Sequence, residues 1–386
     1  MELYVHIPFC VQKCKYCDFN SGNYDVKLRE RYTYALISEI ESYKERLAKE
    51  TVTSVYIGGG TPTYLEVVFM QRILDAIFSN FQIAKDAEIS MECNPGTGSL
   101  EAFKIYRHLG VNRLSIGLQS ANDDELELLG RVHDFKKFEQ TYREAQLAGF
   151  ENINVDLMSG LPYQTWNKLS NSIKKVIHLK PQHISLYSLI VEEGTEFYEK
   201  YHEDLERREK DLDTVALPDL DQEYELLKNA QALLEEWGYH QYEISNFAIE
   251  GKECIHNIGY WKRVPYLGVG LGAASLIDEV RYTNESNLLT YIDLLEKDES
   301  VRVEEIELSK RDAMSEFMYL GLRMNQGVSR QEFFDTFHIT IEAIYDKVIK
   351  KNESLGLLKV AEGRVFLTEK GMDVSNRVMA EFLLDS

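Results

Sequence analysis

The sequence predicts an α/β fold: an incomplete, TIM-like β/α barrel of six strand–helix units, followed by a smaller α+β module. Three observations predict it. Short apolar runs alternate with helical stretches through the first two-thirds of the 386 residues. Polar residues capable of chemistry stand at the ends of those runs. From about residue 309 the pattern changes to helices and a short hairpin. At 44% hydrophobic and 28% charged residues, the chain can bury a core and is not a disordered one.

The strand candidates are 3–8, 54–57, 88–93, 113–118, 152–158 and 183–189, each rich in Val, Ile, Leu, Tyr or Ser and bounded by Gly, Pro or Asn. Amphipathic segments lie between them. In 26–48, Leu28, Tyr32, Leu36, Ile40, Tyr43 and Leu47 recur every three or four residues. Alternating elements of this kind imply a parallel sheet with right-handed crossovers. Six strands fall short of a complete eight-stranded barrel, in which functional residues gather at the C-terminal strand ends. The expected division is a barrel over 1–220, a barrel-completing segment over 221–308 and a C-terminal module over 309–386. In that module "LLKVAEGRVFLTEKG" reads as two short strands around a turn and then a helix, a winged-helix-like arrangement.

Charge and cysteine usage exclude several functions. A net charge of −21 argues against a general binder of nucleic acid or anionic membranes. The C-terminal module is nearly charge-balanced without a basic face, so a lid or docking role is expected there rather than DNA binding. There is no run of 18 apolar residues, and no basic stretch followed by an apolar one at the start. Five cysteines, an odd number, do not resemble a disulfide framework. The expected setting is the reducing cytoplasm.

Three of those cysteines crowd one stretch, "HIPFCVQKCKYCDF" at 6–19, as Cys10, Cys14 and Cys17. Clustered thiols in a reducing compartment mean metal or redox chemistry. The spacing admits a zinc site that borrows a distant ligand, a redox pair on Cys14 and Cys17, or an iron–sulfur cluster held by three thiolates with one iron left open. Further along, "GGGTPT" (58–63) ends the second strand. "MECNP" puts Glu92 at the third mouth and "GLQS" puts Gln119 at the fourth. "GRVHD" follows with Arg131, and "NVDLMSGLP" carries Asp156 on the fifth strand. Alone, each reads as a turn or a solvated residue. Together, beside a cysteine cluster, they could bind an amino group, a carboxylate, a ribose and an adenine.

"YVHIPFC", the cysteine triplet, "GGGTP", "ECNP", "GLQS", "GRVHD" and "DLMSGLP" resemble, in this order, the oxygen-independent coproporphyrinogen III oxidase family of radical S-adenosylmethionine (SAM) proteins. The resemblance runs from about residue 3 to beyond 275 and continues more weakly into the C-terminal module. It implies that Cys10, Cys14 and Cys17 ligate a 4Fe-4S cluster whose fourth iron is chelated by SAM. It also implies that Tyr4, Gly59, Gly60, Thr61, Glu92, Gln119, Arg131 and Asp156 line the SAM site. Cys93 reads as a small buried apolar residue.

That family contains a fork. Its oxidases carry a fourth cysteine two positions after the third, where this chain has Phe19, and an N-terminal extension for which no room is expected ahead of Cys10. Both departures favour the branch that binds heme and passes it to acceptor proteins, including by peripheral contact with membrane heme proteins. The oxidase is the alternative. "CIHNIGYW" (254–261) resembles the heme-associated motif of that branch, with His256 as an iron ligand, Tyr260 and Trp261 flanking the porphyrin, and Cys254 as a thiolate alternative. The plainer reading of His256 is a hydrogen-bonded structural histidine. Residues 192–225, dense in Asp and Glu, read as a solvated connection or an exposed helix. "GVGLGAAS" (268–275) reads as close backbone packing or a ligand wall rather than a dinucleotide loop.

Overall fold

A computed structural model describes residues 1–384. Six parallel strands stand side by side in chain order: β1 (Glu2–Ile7), β2 (Thr51–Gly59), β3 (Gln82–Cys93), β4 (Arg113–Gln119), β5 (Ile153–Ser159) and β6 (His183–Ser188). The chain returns between them through α1 (Val26–Ser42), α2 (Val67–Asn80), α3 (Leu100–His108), α4 (Asp123–Leu128), α5 (Phe135–Leu147) and α6 (Trp166–Leu179). Every candidate strand is a strand. The helix expected over 26–48 stops at Ser42 and continues as turns, yet Tyr43 and Leu47 stay buried.

The strands alternate, apart from register shifts at Val52/Ser54 in β2 and Gly117/Gln119 in β4. Residues such as Val5, Ile57, Ile89, Ile116, Val155 and Ile184 face the helices and are at most 5% exposed. Their neighbours in sequence face the barrel interior and are mostly polar. Register runs Glu2–Ser54–Glu88 across the first row and Tyr4–Tyr56–Ser90–Arg113 across the next. Glu92–Ser115–Asn154–His183 then runs across a third. The side-chain period of two sets this division, and hydrogen bonds link interior side chains: Asn154 donates to Ser115 and Asp156, and His183 Nδ1 lies 2.6 Å from Asn154 Oδ1.

The sheet extends past six strands. Helices α7 (Glu196–Glu209) and α8 (Leu220–Glu236) lead to β7 (His240–Gln241) and β8 (Asn246–Ala248); β8 pairs antiparallel with β6, and β7 antiparallel with β8. After α9 (Ile255–Trp261), β9 (Tyr266–Val269) returns to pair parallel with β1. Next come β10 (Ala274–Ile277), β11 (Val280–Asn284), α10 (Leu288–Leu295) and β12 (Arg302–Glu307), the strands running antiparallel to an open edge. In "GVGLGAAS" the Gly268 N–H donates to the Ser275 hydroxyl, and a side chain on Gly270 would meet the His6 carbonyl at 2.7 Å. This is close backbone packing, as expected.

The acidic stretch carries the mostly exposed helix α7, which is anchored along one face. Asp204 accepts hydrogen bonds from the backbone N–H groups of Val215, Ala216 and Leu217. Phe197, Tyr201 and Leu217 pack on Leu129, Met158, Leu161 and Leu189. The Asp and Glu residues hide this because the few apolar positions on α7 do the burying.

The C-terminal module comprises α11 (Lys310–Gly321), β13 (Val328–Ser329), α12 (Arg330–Phe337), α13 (Ile341–Ser354), β14 (Leu358–Ala361), β15 (Arg364–Leu367), α14 (Glu369–Asp373) and α15 (Ser375–Ala380). Its sheet order is β13-β15-β14, with its own core around Phe333, Ile341, Tyr345 and Phe382. Glu362 and Gly363 both have positive φ, which gives the two-residue hairpin turn that matches strand twist. This is the winged-helix-like arrangement the sequence predicts. Among the described residues, no helix is long and apolar enough to cross a membrane.

Candidate functional site

β1 runs directly into the cysteine loop. Phe9 anchors the loop, fully buried with its ring edge-on to Tyr24 and Tyr32. The Cys10 N–H donates to the Gly22 carbonyl, and the Gly22 N–H to the Pro8 carbonyl. Lys15 N–H reaches Leu129 O beyond α4, and Phe197 N–H at the start of α7 reaches Lys15 O. Four parts of the chain thus fix a loop with no regular structure of its own. The thiols of Cys10, Cys14 and Cys17 are free, partly exposed and line one cavity of about 500 Å³.

The facing walls are the C-terminal strand ends. Gly59, Gly60, Glu92, Gln119, Arg131 and Asp156 line the same cavity. The Gly60 and Thr61 N–H groups donate to Ile7 O and Phe9 O, so the glycine run is also a seam: a side chain on Gly60 would meet those carbonyls at 2.8–2.9 Å. Glu92 accepts from the Tyr56 hydroxyl at 3.1 Å and the Gly59 N–H at 3.0 Å. Burial, reinforced by the Asp156 charge, pushes its carboxyl up to about 8. Burial also raises Asp156, against hydrogen bonds from Asn154, Ser185 and Ser115. Two carboxyl groups held this way in one cavity favour a cationic ligand group. Gln119 has φ of 73° at a register shift in β4, a strained backbone that turns its amide at the mouth.

Arg131 donates from Nη2 to Asn94 Oδ1 and to Gly117 O, each at 2.5 Å, and from Nη1 to Cys14 Sγ at 3.4 Å. Its Nε is buried without a partner. Thr61 lies behind the loop, with its hydroxyl 3.4 Å from Cys10 Sγ. Asn94, Tyr56, Ser115 and Tyr187 also line the cavity and were not anticipated. Asn94 stood in "ECNP", two positions after Glu92, but its contact with Arg131 joins residues 37 apart.

Two further expected site residues, besides Thr61, lie outside this cavity. Tyr4 is midway along β1, below the mouth, with its hydroxyl 3.0 Å from His6 Nδ1 and its ring stacked on Tyr56. It lines a different cavity. His256 is on α9, which closes the N-terminal end of the barrel. Its imidazole is 1% exposed, with Nδ1 2.8 Å from Ser54 Oγ and the ring stacked on Tyr56. Burial, then the Arg113 charge, pushes it down to about 3. In this packing the ring is withheld from an iron atom, because Nε2 is buried too. Cys254 is equally buried, with its thiol 3.4 Å from Glu88.

The donor set discriminates among the metal readings. Among the described residues, no three His, Cys, Asp or Glu side chains converge on a single-ion position, which zinc at about 2.3 Å from each sulfur requires. Burial pushes the Cys17 thiol up to about 11, the opposite of an activated redox thiol. Three thiols, two carboxyl groups and the Arg131 guanidinium lining one cavity fit an open-iron cluster with a zwitterionic ligand.

Comparison with known proteins agrees. Residues 4–176 match the Radical SAM superfamily and residues 308–374 the HemN C-terminal domain. The heme chaperone HemW of Bacillus subtilis is 36% identical over 98% of both chains, and that of Lactococcus lactis 34% over 99% of this chain and 97% of its own. The solved coproporphyrinogen III oxidase HemN from Escherichia coli, a radical SAM enzyme, superposes with a TM-score of 0.85 at 25% identity, over 99% of this chain and 89% of that one. A 4Fe-4S cluster and SAM come with the superfamily. The chain belongs to the HemW heme chaperone family of radical SAM proteins.

Proposed function

We propose that Cys10, Cys14 and Cys17 hold a 4Fe-4S cluster, that SAM binds beside it, and that the protein binds heme and delivers it to acceptor proteins from the cytoplasm. Glu92 and Asp156 take the SAM amino group, Arg131 its carboxylate, and Gln119 fixes the remainder at the mouth. When bound, the cluster supplies single electrons to the SAM sulfonium.

One observation carries the heme half. Tyr260 and Trp261 line a second cavity, of about 370 Å³, together with Tyr4, Tyr266, Tyr319, Arg263 and Arg281. Aromatic walls suit a planar porphyrin, and two guanidinium groups suit the two carboxylates that heme carries. His256 lies just beneath, 4.8 Å from the Tyr260 ring centroid. The cavity is at the junction with the C-terminal module, where Glu316 on α11 already pairs with Arg263 at 2.8 Å and Arg281 at 2.6 Å. Heme carboxylates would compete with Glu316 for both arginines and with Glu279 for Arg263.

Phe19 favours heme delivery over oxidation. It stands 59% exposed on the wall of the cysteine cavity, at the position where the family's oxidases carry a cysteine. The test is an anaerobic heme titration of the cluster-loaded protein, run beside an assay with coproporphyrinogen III, SAM and a reductant. Saturable heme binding without protoporphyrinogen IX is expected. Accumulation of that product above a cluster-free control would restore the oxidase reading.

A further inference from the structure

Asn94 makes two contacts that only one orientation of its amide allows. Arg131 can only donate, so the Asn94 oxygen faces Nη2 at 2.5 Å. The amide nitrogen therefore faces Thr61 and donates to Oγ1 at 2.7 Å. With its oxygen already accepting, the Thr61 hydroxyl is left with a proton to give, and Cys10 Sγ is 3.4 Å away. On the other side, the Arg131 guanidinium is held by Asn94 Oδ1 and Gly117 O so that Nη1 meets Cys14 Sγ at 3.4 Å. One amide thus aims two donors, one neutral and one cationic, at two of the three sulfurs. A side chain on Gly117 would lie 2.9 Å from Asn94 Oδ1 and 3.4 Å from Nη2, so the strand is bare where this lock sits.

We propose that Asn94 is a positioning residue that directs Thr61 onto Cys10 and Arg131 onto Cys14, and thereby raises the reduction potential of the cluster. The inference rests on the reading that these cysteines hold the cluster. A donor to a ligating sulfur draws electron density from it. The reduced cluster carries one more negative charge, so it gains more from each donor and from a buried cation than the oxidised cluster does. Asn94 touches no reacting atom in this account; it acts through the two donors.

The test is an anaerobic, dye-mediated redox titration without SAM, after iron and sulfide have been measured in each protein. At a fixed applied potential, Asn94→Ala is expected to keep its iron while its ratio of reduced to oxidised cluster falls about tenfold, equivalent to about 59 mV for one electron. Thr61→Val removes one arm and is expected to shift the ratio in the same direction by less. In the Thr61→Val background, Asn94→Ala is expected to add less than it does in the parent, because both act partly through the same bond. A merely structural Asn94 would lower iron content or melting temperature and leave the potential alone. A potential in Asn94→Ala equal to the parent's, with iron retained, overturns the proposal. Should Asn94→Ala retain no iron, Thr61→Val decides, and an unchanged potential there overturns it equally. Failure of the underlying reading looks different: the Cys10, Cys14 and Cys17 serine variants would then keep their iron.

Discussion

His256 and Ser54 are joined by a 2.8 Å hydrogen bond inside the N-terminal end of the barrel, the end opposite the cysteine cavity. The bond seats α9 as a plug. Glycine at 259 is part of the same seat, because a Cβ there would lie 1.8 Å from the Glu2 carboxylate. The motif therefore divides its work: His256 faces inward, while Tyr260 and Trp261 line the second cavity.

His256→Ala is expected to remove the Ser54 partner and open a void, costing about 2–3 kcal/mol and a few degrees of melting temperature. The heme absorption band is expected to hold its position. Because the folded-state pKa of about 3 lies below the ordinary value of 6.5, the neutral imidazole stabilises fully above pH 6.5, and that contribution is lost as pH falls toward 3. The variant should show a weaker loss of stability across that window. A shifted heme band with an unchanged melting temperature would make His256 an iron ligand after all.

Cys10→Ser, Cys14→Ser and Cys17→Ser are each expected to abolish the absorbance of the reconstituted cluster. Cys93→Ser and Cys254→Ser, at 2% and 0% exposure on packed elements, should keep it. Loss in Cys93→Ser with the triplet variants intact would remove the assignment.

Glu92 is largely protonated at pH 7, since its carboxyl lies at about 8. An ammonium group arriving beside it favours the charged form, so SAM binding to the cluster-free protein at pH 7 should release nearly one proton from this residue. Calorimetry in buffers of different ionisation enthalpy reads this directly. Glu92→Gln should bind more weakly and abolish the buffer dependence; a dependence that survives in the variant places the proton elsewhere.

Much of this was legible in the sequence, and the reason is geometric. In a parallel β/α array all C-terminal strand ends fall on one side, so Gly59, Glu92, Gln119 and Asp156 converge without any knowledge of packing. A further signal was present and unread. "ELYVH", "EISME", "RLSIGLQ" and "HISLY" alternate polar and apolar residues with a period of two, which marks a polar barrel interior as opposed to strands buried on both faces. The remainder was not legible. β9 finds β1 across more than 250 residues of chain, and the Asn94–Arg131 lock and the His256–Ser54 bond exist only once distant elements meet. Motif matching gives no depth along a strand, and Tyr4 lines the second cavity.

Arg281→Met is expected to weaken heme binding about tenfold, the cost of one charge-assisted contact. It should leave the affinity for a heme dimethyl ester nearly unchanged, because the ester offers no carboxylate. Equal losses for both ligands in an optical titration would show that Arg281 shapes the cavity without meeting the carboxylates.

The measurement closest to the central claim is transfer itself. Cluster-loaded protein is charged with heme, freed of excess by gel filtration, and mixed anaerobically with a heme-free acceptor apoprotein. The account predicts that the acceptor's own heme spectrum appears as the donor's fades, and that Tyr260→Ala with Trp261→Ala fails to retain heme through the filtration while keeping its iron–sulfur absorbance. A parent protein that retains no heme, or holds it without yielding any to the acceptor, would contradict the account.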